Sequence, residues 1–138
     1  MNTMSDSMIQ ELIEIARPLL GEIVLSRPDM SAATVACAIR SASGRTYTGV
    51  CVHLCCGIGF CAEHAAVAEM LKSRETAIRR IVAIDDEGVL APCGRCRELI
   101  VQLDRRNLEC EVMLPGDTSM RMADLLPRAW LEPLFARD

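Results

Sequence analysis

The chain has 138 residues, 51% hydrophobic and 25% charged, and 19 acidic against 15 basic side chains leave a formal charge of −4. That is the make-up of one globular domain over residues 1–138, and it excludes a protein that grips a nucleic-acid backbone through a dense Lys/Arg patch. Aromatics at 3% exclude a stacking platform for successive bases, which leaves a small molecule as the expected partner.

The opening stretch has no basic n-region and carries Asp6, Glu11 and Glu14, unlike a signal peptide. No run approaches the ~18 apolar residues of a membrane span. The expectation is a cytoplasmic protein whose thiols stay reduced, so that its eight cysteines read as metal-binding or catalytic rather than as a disulfide framework. Met8, Ile9, Leu12, Ile13, Ala16, Leu19 and Leu20 recur at helical steps, predicting an amphipathic helix that ends around Pro18 to Gly21. Two β-rich runs, Thr34 to Ala42 and Thr46 to Val52, flank Ser43-Gly44 and predict a hairpin. A glycine-containing loop follows from Leu54 to Phe60, and Cys61 to Leu71 is helical in composition. Ile81 to Ile84 reads as a buried strand, Asp85 to Gly88 as a turn and Val89 to Ala91 as a short extended segment. Pro92 stands just before a further helix through Leu103, Cys110 to Leu114 is another strand, and a tail runs from Ser119 to Asp138. Strands and helices alternating after a hairpin imply an α/β fold, a three-layer α/β/α domain with a mixed five-stranded sheet.

The chemistry concentrates at two predicted helix starts. Cys61 opens one helix, and Cys93 and Cys96 form a Cys-x-x-Cys at the opening of the next. Helix N-termini favour thiolates. Three thiolates converging there make a soft tetrahedral site for Zn2+ with one position open, the mark of a catalytic rather than a structural ion. Glu63, on the same first turn as Cys61, can reach a water at that position and serve as proton shuttle. Two rival readings remain. Cys55 or Cys56 would close the site as a fourth structural ligand, or Cys93 and Cys96 would form a redox dithiol. Cys37, Cys51 and Cys110 lie in apolar strands, where a free cysteine behaves as a small hydrophobe. Trp130 and Phe135 read as packing residues of the tail, and Arg95 as solvated or at a subunit contact.

Cys61-Ala62-Glu63 followed by Pro92-Cys93-Gly94-Arg95-Cys96-Arg97 resembles the zinc-dependent cytidine deaminase family, and in particular its blasticidin S deaminase-like branch. Gly44-Arg45, Thr48-Gly49-Val50, Ile81 to Ile84 and Leu125 to Trp130 resemble the family's strand and tail segments in order. The resemblance implies a cytidine deaminase-like fold and hydrolytic deamination of a cytosine nucleoside or related aminopyrimidine. Zinc hydroxide would attack C4, Glu63 would relay the proton, and ammonia would leave. It implies Cys61, Cys93 and Cys96 as ligands, Ala62 among the substrate contacts, and a homo-oligomer, a tetramer. It also exposes departures. Cys51-Val52-His53 stands where the family carries an Asn-x-Glu that holds the sugar, so Cys51 and His53 become the substrate-binding candidates there. Alanine replaces an aromatic wall near Ser31-Ala32-Ala33, and His64 replaces the arginine that offsets the thiolate charge. Arg97, with His64 second, is the expected partner for that charge. The departures favour a modified nucleoside of the blasticidin S type over plain cytidine. A zinc-stabilised nucleoside-binding module without turnover is the rival from outside the enzymes.

Overall fold

The computed structural model describes residues 3–135, with side chains from residue 6 onward; residues 136–138 of the tail lie outside the described residues. A first helix, α1 (Thr3–Ala16), is followed by a 3-10 turn over Arg17–Leu19, where Pro18 in the first turn keeps the backbone helical for one more turn. The hairpin is present as β2 (Ser31–Ser41) and β3 (Thr46–His53), preceded by a two-residue strand, β1 (Ile23–Val24). Then come α2 (Ala62–Lys72), β4 (Ile78–Ile84), β5 (Val89–Leu90), α3 (Gly94–Leu103) and a 3-10 turn over Arg105–Glu109. The chain closes with β6 (Glu111–Leu114), β7 (Thr118–Arg121), α4 (Met122–Leu125) and α5 (Glu132–Phe135). Among the described residues no helix is long and apolar enough to cross a membrane.

Among the described residues the sheet is mixed, with the expected five strands in its main order and two more paired beside them. Its main order is β1-β2-β4-β6-β7, with β3 also on β2 and β5 also on β4. Every pairing is antiparallel except β4 with β6, which run parallel. Parallel neighbours need a crossover, and α3 supplies it. Side chains alternate across β2: Ala36 and Ala38 face α1 with Leu12, Ala16, Val82, Ile84 and Met113, while Cys37 and Ile39 face α2 and α3 with Ala66, Val67, Met70, Ile100 and Val101. The three layers are α1 on one face, the sheet, and α2 and α3 on the other face, where the short α4 and α5 also pack.

Two features fix where the site falls. Gly49 on β3 has no room for a side chain, since a Cβ there would stand 2.3 Å from the Ala66 backbone nitrogen and 2.6 Å from the Ala65 Cβ. This close approach presses α2 onto the sheet. Gly49→Ala is expected to destabilise by about 1–3 kcal/mol, the usual cost of overpacking, read as a lower urea midpoint. An unchanged midpoint would show that α2 shifts freely. At the other end, the fully buried Asn107 accepts from the Ile78 amide at 2.7 Å and donates to the carbonyls of Thr76 and Ile100, both at 2.9 Å. It satisfies backbone groups where β4 begins and α3 ends, and so holds the β4–α3 unit in register.

The tail differs from expectation at one residue. Phe135 packs against the core with the Arg105 guanidinium 5.1 Å from its ring centre, but Trp130 is 71% exposed in this chain.

Candidate active site

Cys61 is the N-cap of α2 and Cys93 the N-cap of α3, each in extended conformation with a helix beginning at the next residue. The two helix starts face each other, and the thiols meet between them. Cys61 Sγ lies 3.7 Å from Cys93 Sγ, and Cys93 Sγ lies 3.5 Å from Cys96 Sγ. His64, in the first turn of α2, brings Nδ1 to 3.6 Å from Cys96 Sγ, and Cys61, His64 and Cys96 present donor atoms all within 4.8 Å of one another. A zinc ion with Zn–S bonds of ~2.3 Å at the centre of a regular tetrahedron would hold its sulfurs about 3.8 Å apart. The sulfur separations fit such an ion. Neither Cys55 nor Cys56 belongs to this group; both are exposed in the loop between β3 and α2.

Electrostatics divides the three thiols. Burial pushes Cys96 well above the usual thiol range, and the neighbouring Glu63 carboxylate pushes it further. Burial likewise raises Cys61. Burial acts against ionisation at Cys93 too, but the backbone N–H groups of Cys96 and Arg95 and the thiols of Cys96 and Cys61 outweigh it and hold Cys93 below its ordinary value. Amide donors at a helix start therefore offset negative charge here. Arg97 does not do so: its Nε donates to the Pro92 carbonyl and its Nη1 to the Leu125 carbonyl, both at 2.9 Å, tying the start of α3 to α4. The His64 imidazole is held below its usual value by burial first and then by the Arg95 guanidinium, so at neutral pH it acts as an uncharged hydrogen-bonding group.

A cavity of about 580 Å3 opens onto these groups. Cys61, Ala62, Glu63 and Cys93 line its reactive end, and Cys51, Val52 and His53 from β3 line another wall with Ser31, Thr34 and Val35 from β2. Glu63 is only 4% exposed, yet it reaches the cavity from the first turn of α2. Cys96 is fully buried behind the surface. The Cys51 thiol is no inert core group: its sulfur accepts from the Val35 amide at 3.2 Å and lies 3.2 Å from the Thr34 hydroxyl. The β2 wall arises from a register shift between Ala32 and Ala36. Ala33 within it takes a left-handed φ of 63° and turns into the protein interior, which leaves Thr34 and Val35 on the cavity side. Among the lining residues that escape the sequence reading, two bear on chemistry. Phe60 sits on an isolated bridge with Val52 and supplies an aromatic surface, and Arg95 lines the cavity rather than standing clear of it. The Pro-Cys-x-x-Cys spacing could have signalled Arg95, since a residue between the two cysteines on a helix's first turn stays close to the thiol cluster.

The fold and the site thus define a mixed α/β domain with a cysteine-rich centre at two opposed helix starts, opening into a cavity with a buried carboxylate. No protein-family model matches the chain. Solved structures similar to it are cytidine deaminases. The enzyme from Mycobacterium tuberculosis is 27% identical, with a TM-score of 0.67 over 86% of this chain and 96% of that one. The one from Burkholderia pseudomallei is 26% identical, with a TM-score of 0.70 over 87% and 97%. The cytidine deaminase from Bacillus anthracis, at 22% identity and a TM-score of 0.71 over 94% of both chains, shares the fold.

Proposed function

We propose that the chain is a zinc-dependent hydrolase that deaminates a cytosine nucleoside or a related aminopyrimidine. The observation that carries this reading is the Glu63 carboxylate, almost fully buried on the same cavity wall as the Cys61 and Cys93 thiols. Cys61, Cys93 and Cys96 are the residues that would hold zinc, which when bound supplies Lewis-acid activation of water. Glu63 accepts a proton as water adds at C4 and delivers it to ring N3, then takes the remaining proton of the C4 hydroxyl and passes it to the departing amine. The C4–N bond breaks, one water is consumed and one ammonia is released. Ala62 and the walls of the cavity hold the ring, and a volume of about 580 Å3 suits a single nucleoside. The similarity to cytidine deaminases supports the activity in general terms.

The choice of nucleoside follows from β3. Cys51 and His53 offer a thiol already engaged with Val35 and Thr34 and a single imidazole, which cannot reproduce an amide and a carboxylate on sugar hydroxyls. A site without such groups loses the discrimination they provide. Unmodified cytidine is expected to be a poor substrate and a cytosine nucleoside altered at the sugar, of the blasticidin S type, a better one. Ammonia release from zinc-loaded protein on such a panel tests both steps. A cytidine kcat/KM of about 10⁵ M⁻¹s⁻¹ or more, exceeding every altered nucleoside, would overturn the preference.

A second reading has its own observation: His64 Nδ1 lies within the donor group of Cys61 and Cys96 and could complete a closed, non-catalytic zinc site. Protein with one zinc per chain that releases no ammonia from any cytosine compound would establish it.

A further inference from the structure

The cavity holds a cation that ring chemistry does not use. Besides the thiols, its charged and titratable lining consists of Glu63, His53 and Arg95. In the deaminase reading Glu63 carries the proton transfers, and His53 lines the β3 wall. Arg95 is the second residue of α3, two after Cys93, so the helix start that positions the thiol also fixes the base of the arginine. Several arginines are engaged elsewhere, Arg97 with the Pro92 and Leu125 carbonyls, Arg80 with Glu111 at 2.8 Å and Arg121 with Glu109 and Asp124, whereas Arg95 is the arginine that lines this cavity. Among the described residues the Arg95 guanidinium has neither a carboxylate nor a carbonyl partner, and it is exposed into the cavity mouth.

The charge balance sharpens the point. Three thiolates around a divalent ion leave one negative charge, and Glu63 adds another, so the reactive end repels an anion. An anionic group on the substrate is therefore tolerated only beside Arg95. A guanidinium is a planar fork of donors that matches carboxylate or phosphate oxygens in pairs. Building on the deaminase reading, we infer that Arg95 is a specificity-determining residue that selects a cytosine-type substrate bearing an anionic substituent, phosphate or carboxylate, outside the ring. The two sources share one chemistry, and the experiment separates them.

Zinc-loaded wild type, Arg95→Gln and Arg95→Lys are assayed for ammonia release with cytidine, cytidine 5′-monophosphate and the nucleoside whose 5′-hydroxymethyl is oxidised to a carboxylate. In parallel, titration calorimetry with the matching uracil compounds reads binding without turnover. Wild type is expected to favour at least one anionic compound over the neutral one by about tenfold in kcat/KM and in Kd, with the ratio shrinking as salt rises. Arg95→Gln brings the ratio near one, and Arg95→Lys restores part of it, because an ammonium keeps the charge but not the fork. Equal handling of neutral and anionic compounds by wild type, or a ratio that survives in Arg95→Gln, overturns the inference. The two proposals fail separately. Anion-selective binding through Arg95 without ammonia release removes the deaminase and leaves the selection, whereas ammonia release without anionic preference does the reverse.

Discussion

Glu63→Gln is expected to lower turnover by about 10²–10⁴-fold, the contribution of a positioned general acid–base group, while zinc content stays at one ion per chain. The amide has nearly the same shape and can still hydrogen-bond within the cavity, but it cannot take a proton from water and hand it on. Stability should not suffer. The Glu63 carboxylate stands at 4% exposure beside groups that become negative, and its charge raises the thiols of Cys96, Cys61 and Cys37. Removing that charge relieves repulsion, so the melting temperature of Glu63→Gln should equal or exceed that of wild type. Steady-state rates, metal analysis and a thermal melt on one preparation give the answer. A near-normal rate would take Glu63 out of the chemistry, and a low rate with lost zinc would make it a structural residue.

The parts of this molecule that sequence reveals are those whose cause is local. Cys61-Ala62-Glu63 and Pro92-Cys93-x-x-Cys96 are legible because a helix start fixes its own first turn, so spacing along the chain becomes spacing in three dimensions. The layers are legible for a similar reason: Ala36 and Ala38 alternate with Cys37 and Ile39, and each set finds its own helix face. What stayed hidden depends on partners far along the chain. β1 and β7 are two and four residues long and exposed throughout, so they leave no apolar pattern and exist only through pairing with β2 and β6. The irregularity at Ala33 has no glycine to announce it, although its φ of 63° is one that glycine adopts more easily. Arg97 has the right position for countering thiolate charge, but two distant carbonyls claim its guanidinium. Arg95 is the converse case: a surface-type residue by composition that the meeting of two helix starts places at a cavity.

Cys96→Ala is expected to abolish zinc binding and activity together and to lower the melting temperature, because this residue joins the site to the core. It is fully buried, with the Cys93 sulfur 3.5 Å away on one side and His64 Nδ1 3.6 Å away on another. Without its sulfur, the partly buried Cys61 and the exposed Cys93 remain to hold an ion, and the first turns of α2 and α3 lose the bond that would run between them. Metal binding to a folded site adds its free energy to the fold, so wild type should melt at a lower temperature after chelation, and Cys96→Ala should melt low with or without chelator. His64→Ala separates support from ligation. If the imidazole orients Cys96 by a hydrogen bond, its loss should weaken zinc affinity by about 10–100-fold and leave turnover measurable at saturating zinc. If His64 instead closes the coordination shell, the same substitution opens a position and turnover should appear or rise. Freshly purified wild type that carries no zinc and melts identically with and without chelator would end the assignment of this centre as a metal site.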